Sequence, residues 1–320
     1  MEPLSDPLSD VLSLLKPENL MSAGLDAGGD WSIRFPLQER AIKCGAVVTG
    51  RCWLMVDGQP EPLLLEPGDG FLLPGGRAFR MASDPAVPPV DVAGIFRPAR
   101  AGGVVTYNGG GGCLVVSSRF LVAGEHAGIL LRMLPPVLHI RAGADGGAMR
   151  WSVERMMLEL RDGQPGGVLT IRHLAHMMLI QALRQHLNGG AAGGGVGWLF
   201  ALADKRMAAA IGALHGDPAH RWTLQELAGR VGMSRSTFAL RFKETVGASP
   251  MEYLTRWRML LAGDRLAGTA EPVSGIALSL GYDSESAFSA AFKRVMGCSP
   301  RLYGRRGAGA SAAALGAPGD

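Results

Sequence analysis

Apolar residues follow two different rhythms along this chain. Over the first hundred positions they come in short runs, AVVTG, CWLMVDG, PLLLEPGDG and FLLPGG, each closed by Gly or Pro. Short apolar runs bounded by turn formers predict the strands of an antiparallel β domain. From Met149 the period lengthens to that of helices, in WSVERMMLELRDG and then VLTIRHLAHMMLIQALRQHL. The second of these ends at the breaker NGGAAGGGVG, and the stretch from Asn188 to Gly197 reads as a linker. Helical period then persists to Tyr303, after which GAGASAAALGAPGD is too poor in apolar residues to fold. The expected organisation is multidomain α+β. A β domain with a helical extension covers 1–187, a Gly-rich linker and connecting segment 188–204, an all-α domain 205–306 and a disordered tail 307–320.

On the second helix of the middle pair, Leu169, Leu174, Met177, Met178 and Gln181 form a broad stripe. Packing against the β domain and pairing with a partner helix in a homodimer are both open for it. His173 and His176 stand three apart without a third ligand near them in sequence, which suits solvated or core-edge places better than a metal.

The all-α part writes one phrase twice, VGMSRSTFALRFKETVGASPMEY and LGYDSESAFSAAFKRVMGCSPRLY. Aligned, Leu227 falls on Ile276, Ala228 on Ala277 and Gly232 on Gly281. After one extra residue Phe238 falls on Phe288, Phe242 on Phe292, Lys243 on Lys293 and Tyr253 on Tyr303. Each copy has the layout of a helix-turn-helix: a short helix (Leu224 to Val231, Val273 to Leu280), a turn through glycine, and a second helix opened by Ser234 or Ser284. The units span 224–245 and 273–296. Phenylalanines four apart bury one face of each second helix and leave the other free for a major groove. Between the copies, SPMEYLTRWRMLLAGDRLAG is an amphipathic connector able to set both second helices about 10 bp apart on one face of DNA.

Charge separates along the same boundary. Residues 1–204 carry 17 Lys/Arg against 19 Asp/Glu, and residues 205–306 carry 15 against 8, a balance of +7. Positive charge gathered in one compact third is what binding to a polyanion requires. Four cysteines without C-x-x-C spacing, Cys44, Cys52, Cys113 and Cys298, form neither a disulfide framework nor a common zinc pattern. With no apolar run of 18 residues and no signal-type N-terminus, the expected place is the cytoplasm, away from membranes.

Residues Trp222 to Arg306, with ELAGRVGMSRSTF, YLTRWRM and GYDSESAFSAAFKRVMGCSP, resemble the DNA-binding domain of the arabinose-regulator (AraC/XylS-type) transcription factors. The resemblance implies that Arg235, Ser236, Ala239 and Leu240 in the first reading helix face bases or backbone of promoter DNA. In the second it implies the same of Glu285, Ser286, Ser289 and Ala290. It places Lys243, Lys293 and Arg294 near phosphates. A homodimer that meets RNA polymerase is expected, with activator or repressor left open by the residues. Many members of the family carry arginine where this chain has Leu240 and Ala290, so the bidentate guanine contact is missing at both. Arg241 can take the first of these places only by bending round the helix.

The segment from Gly68 to Phe79 has the spacing of the second cupin motif, with Phe79 where a metal-ligating histidine usually stands. KCGAVVTGRCWLMVDG resembles the first motif's position but holds no His-x-His, and no histidine precedes His126. The region is similar to the cupin-type sensor of one branch of these regulators, which implies an N-terminal cupin-like antiparallel β-barrel that senses a small molecule or oxidant. Some members of that branch sense reactive chlorine through cysteines. Cys44 and Cys52, eight apart on neighbouring or continuous strand, are either a redox pair or buried thiols, with only Lys43 and Arg51 to activate them. Cys113 follows GGGG and is expected on an exposed loop. No cofactor or metal is expected. Three readings remain: a sensing transcription regulator, a cupin-type metalloenzyme fused to a helical module, and an architectural DNA binder that senses nothing.

Overall fold

A computed structural model describes residues 6–38, 40–96, 103–122, 131, 134–143, 147–188 and 196–306. The described residues fall into two compact units, one drawn from 17–122 and 134–188, the other from 6–16, 131 and 196–306. Most of the Gly-rich stretch, residues 189–195, and the whole tail from 307 lie outside the described residues.

The first unit is built on two sheets. The larger joins β1 (Glu18–Ala27), β3 (Ala41–Thr49), β6 (Gly70–Leu73), β9 (Val104–Tyr107), β10 (Cys113–Leu121) and β11 (Leu138–Ile140) in the order β11-β6-β3-β10-β1-β9. The smaller joins β2 (Ser32–Phe35), β4 (Cys52–Val56), β5 (Leu63–Leu65), β7 (Phe79–Ala82) and β8 (Val90–Asp91) in the order β5-β4-β7-β2-β8. The expected antiparallel pairing is found at every contact except β1 with β9 and β2 with β8, which are parallel. Among the described residues the sheets are separate ladders, so the expected barrel is a two-sheet sandwich.

Alternation along the strands decides what fills it. Leu25, Ala27, Val47, Phe71, Leu73, Cys113 and Val115 of the larger sheet meet Ile33, Phe35, Leu54, Val56, Phe79 and Met81 of the smaller in one core. The opposite face of the larger sheet is also covered, by two helices, α3 (Gly147–Asp162) and α4 (Gly167–Asn188), numbered after α1 (Pro7–Leu15) and α2 (Val92–Ile95). Ser118 Oγ lies 3.8 Å from Met156 Sδ, and the Phe120 ring meets His176 edge-on at 5.2 Å. A sheet covered on both faces needs apolar residues at odd and even positions alike. This explains why β3 is buried from Ala41 through Val47.

On α4 the buried positions are Leu174, Ala175, Met178, Leu179, Ala182 and Leu183, while Leu169 and Met177 are exposed. Of the expected stripe, Leu174 and Met178 are buried, Gln181 is half-buried, and Leu169 and Met177 are exposed; Leu169 lies five residues, or about 140°, round the helix from Leu174. His173 is exposed, and the ring nitrogens of His176 lie 2.8 Å and 2.7 Å from the carbonyl oxygens of Arg172 and Pro17.

The second unit is all helix. It contains α5 (Trp198–Ala201), α6 (Lys205–Gly216), α7 (Leu224–Arg230), α8 (Arg235–Val246), α9 (Pro250–Gly268), α10 (Val273–Ser279) and α11 (Glu285–Met296). Its N-terminal element is α1, capped by Asp6, which accepts from the N–H groups of Leu8 and Ser9. Asp10 on α1 reaches His215 Nδ1 at 3.1 Å, Tyr253 Oη lies 2.8 Å from His215 Nε2, and the imidazole stacks on Trp257 at 3.7 Å. Burial of the ring holds the His215 pKa below its ordinary value, an effect that Asp10 only partly offsets.

The sign follows by linkage. Above the ordinary imidazole pKa neither state is protonated, whereas below it the unfolded chain takes a proton that folded His215 resists. Thermal melts of the chain at about pH 7.5 and about pH 5.5 are expected to show this unit destabilised at the lower pH. His215→Gln is expected to remove much of that difference.

Candidate nucleic-acid interface

The two second helices begin alike. Ser234 Oγ accepts from the Thr237 N–H at 3.2 Å and Ser284 Oγ accepts from the Ala287 N–H at 3.2 Å, so each caps a helix at its first turn. Both end at glycine in the left-handed region, Gly247 at φ 79° and Gly297 at φ 80°. Ahead of them, α7 opens with a capping box. Thr223 Oγ1 accepts from the Glu226 N–H at 3.1 Å, and Glu226 accepts in return from the Thr223 N–H.

Packing then fixes which face points outward. Phe238 and Phe242 are fully buried with ring centroids 5.6 Å apart, and Phe242 meets Tyr253 at 5.9 Å. Phe288 and Phe292 repeat this at 5.7 Å, with Phe292 against Tyr303 at 5.5 Å. With those faces inward, Arg235, Ser236, Leu240 and Lys243 are exposed and Ala239 is half-buried. On α11, Ser286, Ala290, Lys293 and Arg294 are exposed, and Glu285 and Ser289 are half-buried. All eleven residues thus stand on the outward faces of their helices.

Two of the side chains nearby are already engaged within the protein. Arg241 donates from Nε to Asp204 at 2.8 Å and pairs with the same carboxylate through its terminal nitrogen at 2.5 Å. Asp204 also caps α6. Arg241 is therefore a tie between α6 and α8 and does not swing round to the position of Leu240. Glu285 lies 3.6 Å from Arg301, so its carboxylate is partly neutralised before DNA arrives.

The geometry between the readers rests on residues that sequence reasoning did not single out. Arg258, on the connector α9, donates from Nε to the Pro218 carbonyl at 2.5 Å and from Nη2 to the His220 carbonyl at 2.9 Å. Its guanidinium stands 5.6 Å from the Tyr282 ring centroid. Gly281, in the turn of the second unit at φ 79°, has its missing Cβ aimed at the Ala219 carbonyl. Arg221 pairs with Asp283. The loop from Asp217 to Trp222, just before the first reader, is thus clamped by the connector and by the turn of the second. The only early signal was the glycine aligned with Gly232, which explained a turn but not a contact.

In the β unit the cysteines are arranged differently from expectation. Cys44 on β3 and Cys52 on β4 lie in different sheets. Cys44 pairs with Ser118 and Leu72 and is buried on the face covered by α3 and α4. Burial pushes its thiol up to about 12, despite the opposing charge of Lys43. Cys52 instead neighbours Cys113 in the core between the sheets, and the interaction of the two thiols raises the first and lowers the second. Cys113 is 2% exposed on β10, contrary to the expected exposed loop. The glycines before it form turns at positive φ that deliver the chain straight into the strand.

Phe79, where the motif usually has its histidine, stacks on Phe35 with centroids 4.4 Å apart. Among the described residues no group of three or more His, Cys, Asp or Glu side chains is placed to hold a metal ion. No described helix is long and apolar enough to cross a membrane.

Paired helix-turn-helix units and a two-sheet β unit in one chain define a class of DNA-binding protein, and comparison with known proteins places the chain within it. A family model described as Cupin matches residues 6–188, and one described as Helix-turn-helix domain matches residues 227–306. A putative AraC-like transcription regulator of Streptomyces antibioticus is 43% identical over 93% of this chain and 98% of its own. The transcriptional regulator AlkR of Acinetobacter baylyi is 29% identical over 95% of this chain and 99% of its own. The RCS-specific transcriptional activator RclR of Escherichia coli is 28% identical over 94% and 98%. The chain belongs to the AraC family of DNA-binding transcription regulators, with an N-terminal cupin domain.

Proposed function

We propose that this regulator is effector-dependent. Its cupin domain binds or reacts with a small molecule or oxidant, and that event biases how the two helix-turn-helix units engage promoter DNA. An effector can do this only by interacting unequally with two states of the protein. We place the DNA contacts on Arg235, Ser236, Ala239 and Leu240 of the first reader and on Glu285, Ser286, Ser289 and Ala290 of the second. Lys243, Lys293 and Arg294 lie toward phosphates. A homodimer in the cytoplasm that activates transcription through RNA polymerase fits this reading. No chemical conversion of a substrate is part of it.

The observation that carries the placement of the DNA contacts is the exposure of two capped helices whose outward faces hold Arg235, Lys243, Lys293 and Arg294. Base selection then rests on the serine hydroxyls, on the apolar groups of Ala239, Leu240 and Ala290 against thymine methyls, and on DNA shape. Lys243→Ala and Lys293→Ala are each expected to weaken binding to all sequences nearly equally. Each is expected to lower the slope of log affinity against log salt by about one. Titrations of the full chain at several salt concentrations check this, and an unchanged slope in both variants contradicts the placement.

A second reading of the effector has its own observation, the neighbouring buried thiols of Cys52 and Cys113. A two-electron oxidant such as hypochlorous acid would convert them to one disulfide with release of water, chloride and a proton. Cys113→Ser is expected to abolish any oxidant response of DNA affinity while leaving the reduced protein's affinity unchanged. A retained response refutes this arm.

A further inference from the structure

The inner face of the larger sheet ends in two cations set side by side. Lys43 on β3 is the direct cross-strand partner of Arg119 on β10, and Leu73 of β6 flanks Lys43 on its other side. Cross-strand partners point to one face, and here it is the face that carries Val47, Cys113 and Val115 into the core. Lys43 is only 7% exposed, with its ammonium 5.8 Å from the centroid of the Phe35 ring. Arg119 and its neighbour on the same face, Ser117, are half-buried. The Arg119 Nε is shut off from solvent without a hydrogen-bond partner. Among the described residues no carboxylate pairs with either cation.

Such a pair is unfavourable by itself. Like charges opposite each other on a sheet repel, and a buried charge without a partner carries its full desolvation cost. Desolvation first, and then the charge of Arg119, pull the Lys43 pKa down to about 8, while Cys44 acts weakly in the opposite sense. Nothing in the sandwich core requires cations here, since Leu73 and Phe35 beside them are apolar. What relieves the arrangement is an anion. A planar carboxylate suits it, because a guanidinium offers two parallel N–H donors and an ammonium a third point of charge.

We propose that Lys43 and Arg119 form the anion subsite of the cupin domain, taking the carboxylate of a small organic acid whose apolar part lies toward Phe35 and Leu73. The inference rests on the reading of this domain as effector-binding and names the ligand's chemical class. An occupying carboxylate favours the protonated form of Lys43. Binding therefore weakens as pH rises above about 8; the Arg119 charge and the Phe35 ring face the ammonium, and the Cys44 thiol acts on it from the opposite face of the sheet.

The test uses thermal melts and calorimetry of the full chain with sodium benzoate, sodium acetate, neutral benzamide and inorganic phosphate at matched ionic strength. Benzoate is expected to raise the melting temperature saturably in the millimolar range or below, and benzamide is expected to do nothing. Lys43→Met and Arg119→Gln are each expected to weaken benzoate about tenfold or more, while Lys43→Arg keeps most of the response. Lys43→Met without ligand is expected to melt no lower than the parent, because it removes a charge that lacks a partner.

Absence of any saturable shift overturns the site, as does an unchanged benzoate response in both Lys43→Met and Arg119→Gln. Should Lys43→Met not fold, Arg119→Gln reads the same loss. Stabilisation by phosphate and not by either carboxylate overturns the ligand class. DNA titrations with and without benzoate separate this inference from the one beneath it. Benzoate binding that leaves DNA affinity unmoved keeps the subsite and removes the effector role.

Discussion

Phe292→Ala is expected to cost the second helix-turn-helix unit about 3–5 kcal/mol, the range for a large aromatic removed from a closed core. The ring is fully buried among Phe288, Tyr303, Ile276 and Leu280, so the void has no route to solvent and little means of collapse. α11 then loses the surface that holds its outward face in place. Specific DNA binding should fall toward the non-specific level while the first reader stays folded. Calorimetric melts and DNA titrations of the same variant check both parts. A variant with parental stability would show that Phe292 does not anchor this helix.

Gly281→Val is expected to be nearly as damaging, by a different cause. The position has φ 79°, where a β-branched residue is strained by about 1–3 kcal/mol, and the added carbon points at the Ala219 carbonyl. Gly232 is the internal control. It occupies the same place in the first unit at φ 64°, and a Cβ there meets nothing. Gly232→Ala should therefore cost only the strain of its backbone, whereas Gly281→Val should also part the loop at Ala219 from the second turn. The readers would then lose their fixed separation, and a two-site promoter would be bound scarcely better than a single site. Equal loss of stability and affinity in the two variants would contradict the clamp.

These contacts mark the boundary of what the sequence made legible. Glycine, serine and paired phenylalanines repeat at matched offsets, so the two readers, their caps and their buried faces followed from local spacing alone. The cap at Ser284 and the burial of Phe288 needed no long-range information. The clamp was different, because Arg258 meets Pro218 forty residues away and nothing in the local pattern marks either end. Asp10 and His215 are still farther apart in sequence, so the attachment of α1 to the helical unit had no local signature.

In the β unit, apolar runs predicted strands but not which strands share a sheet. Cys44 and Cys52 were close in sequence yet belong to different sheets, and the chain between them turns at Gly50, φ 71°. Cys113 looked exposed because four glycines precede it, but the strand it opens runs through the middle of the larger sheet. Lys43 sits in an otherwise apolar run and gave no sign of a partner cation, because strand register alone sets Arg119 opposite it.

The most direct test of the central claim is a titration of the full chain against the DNA upstream of its own coding region and against a shuffled fragment of equal composition, across a range of salt. Two readers at a fixed separation predict a protected site spanning two successive major grooves. They predict an affinity at least about a thousandfold above the shuffled fragment and a steep loss as salt rises. Equal affinity for both fragments, with protection nowhere above background, would contradict the account.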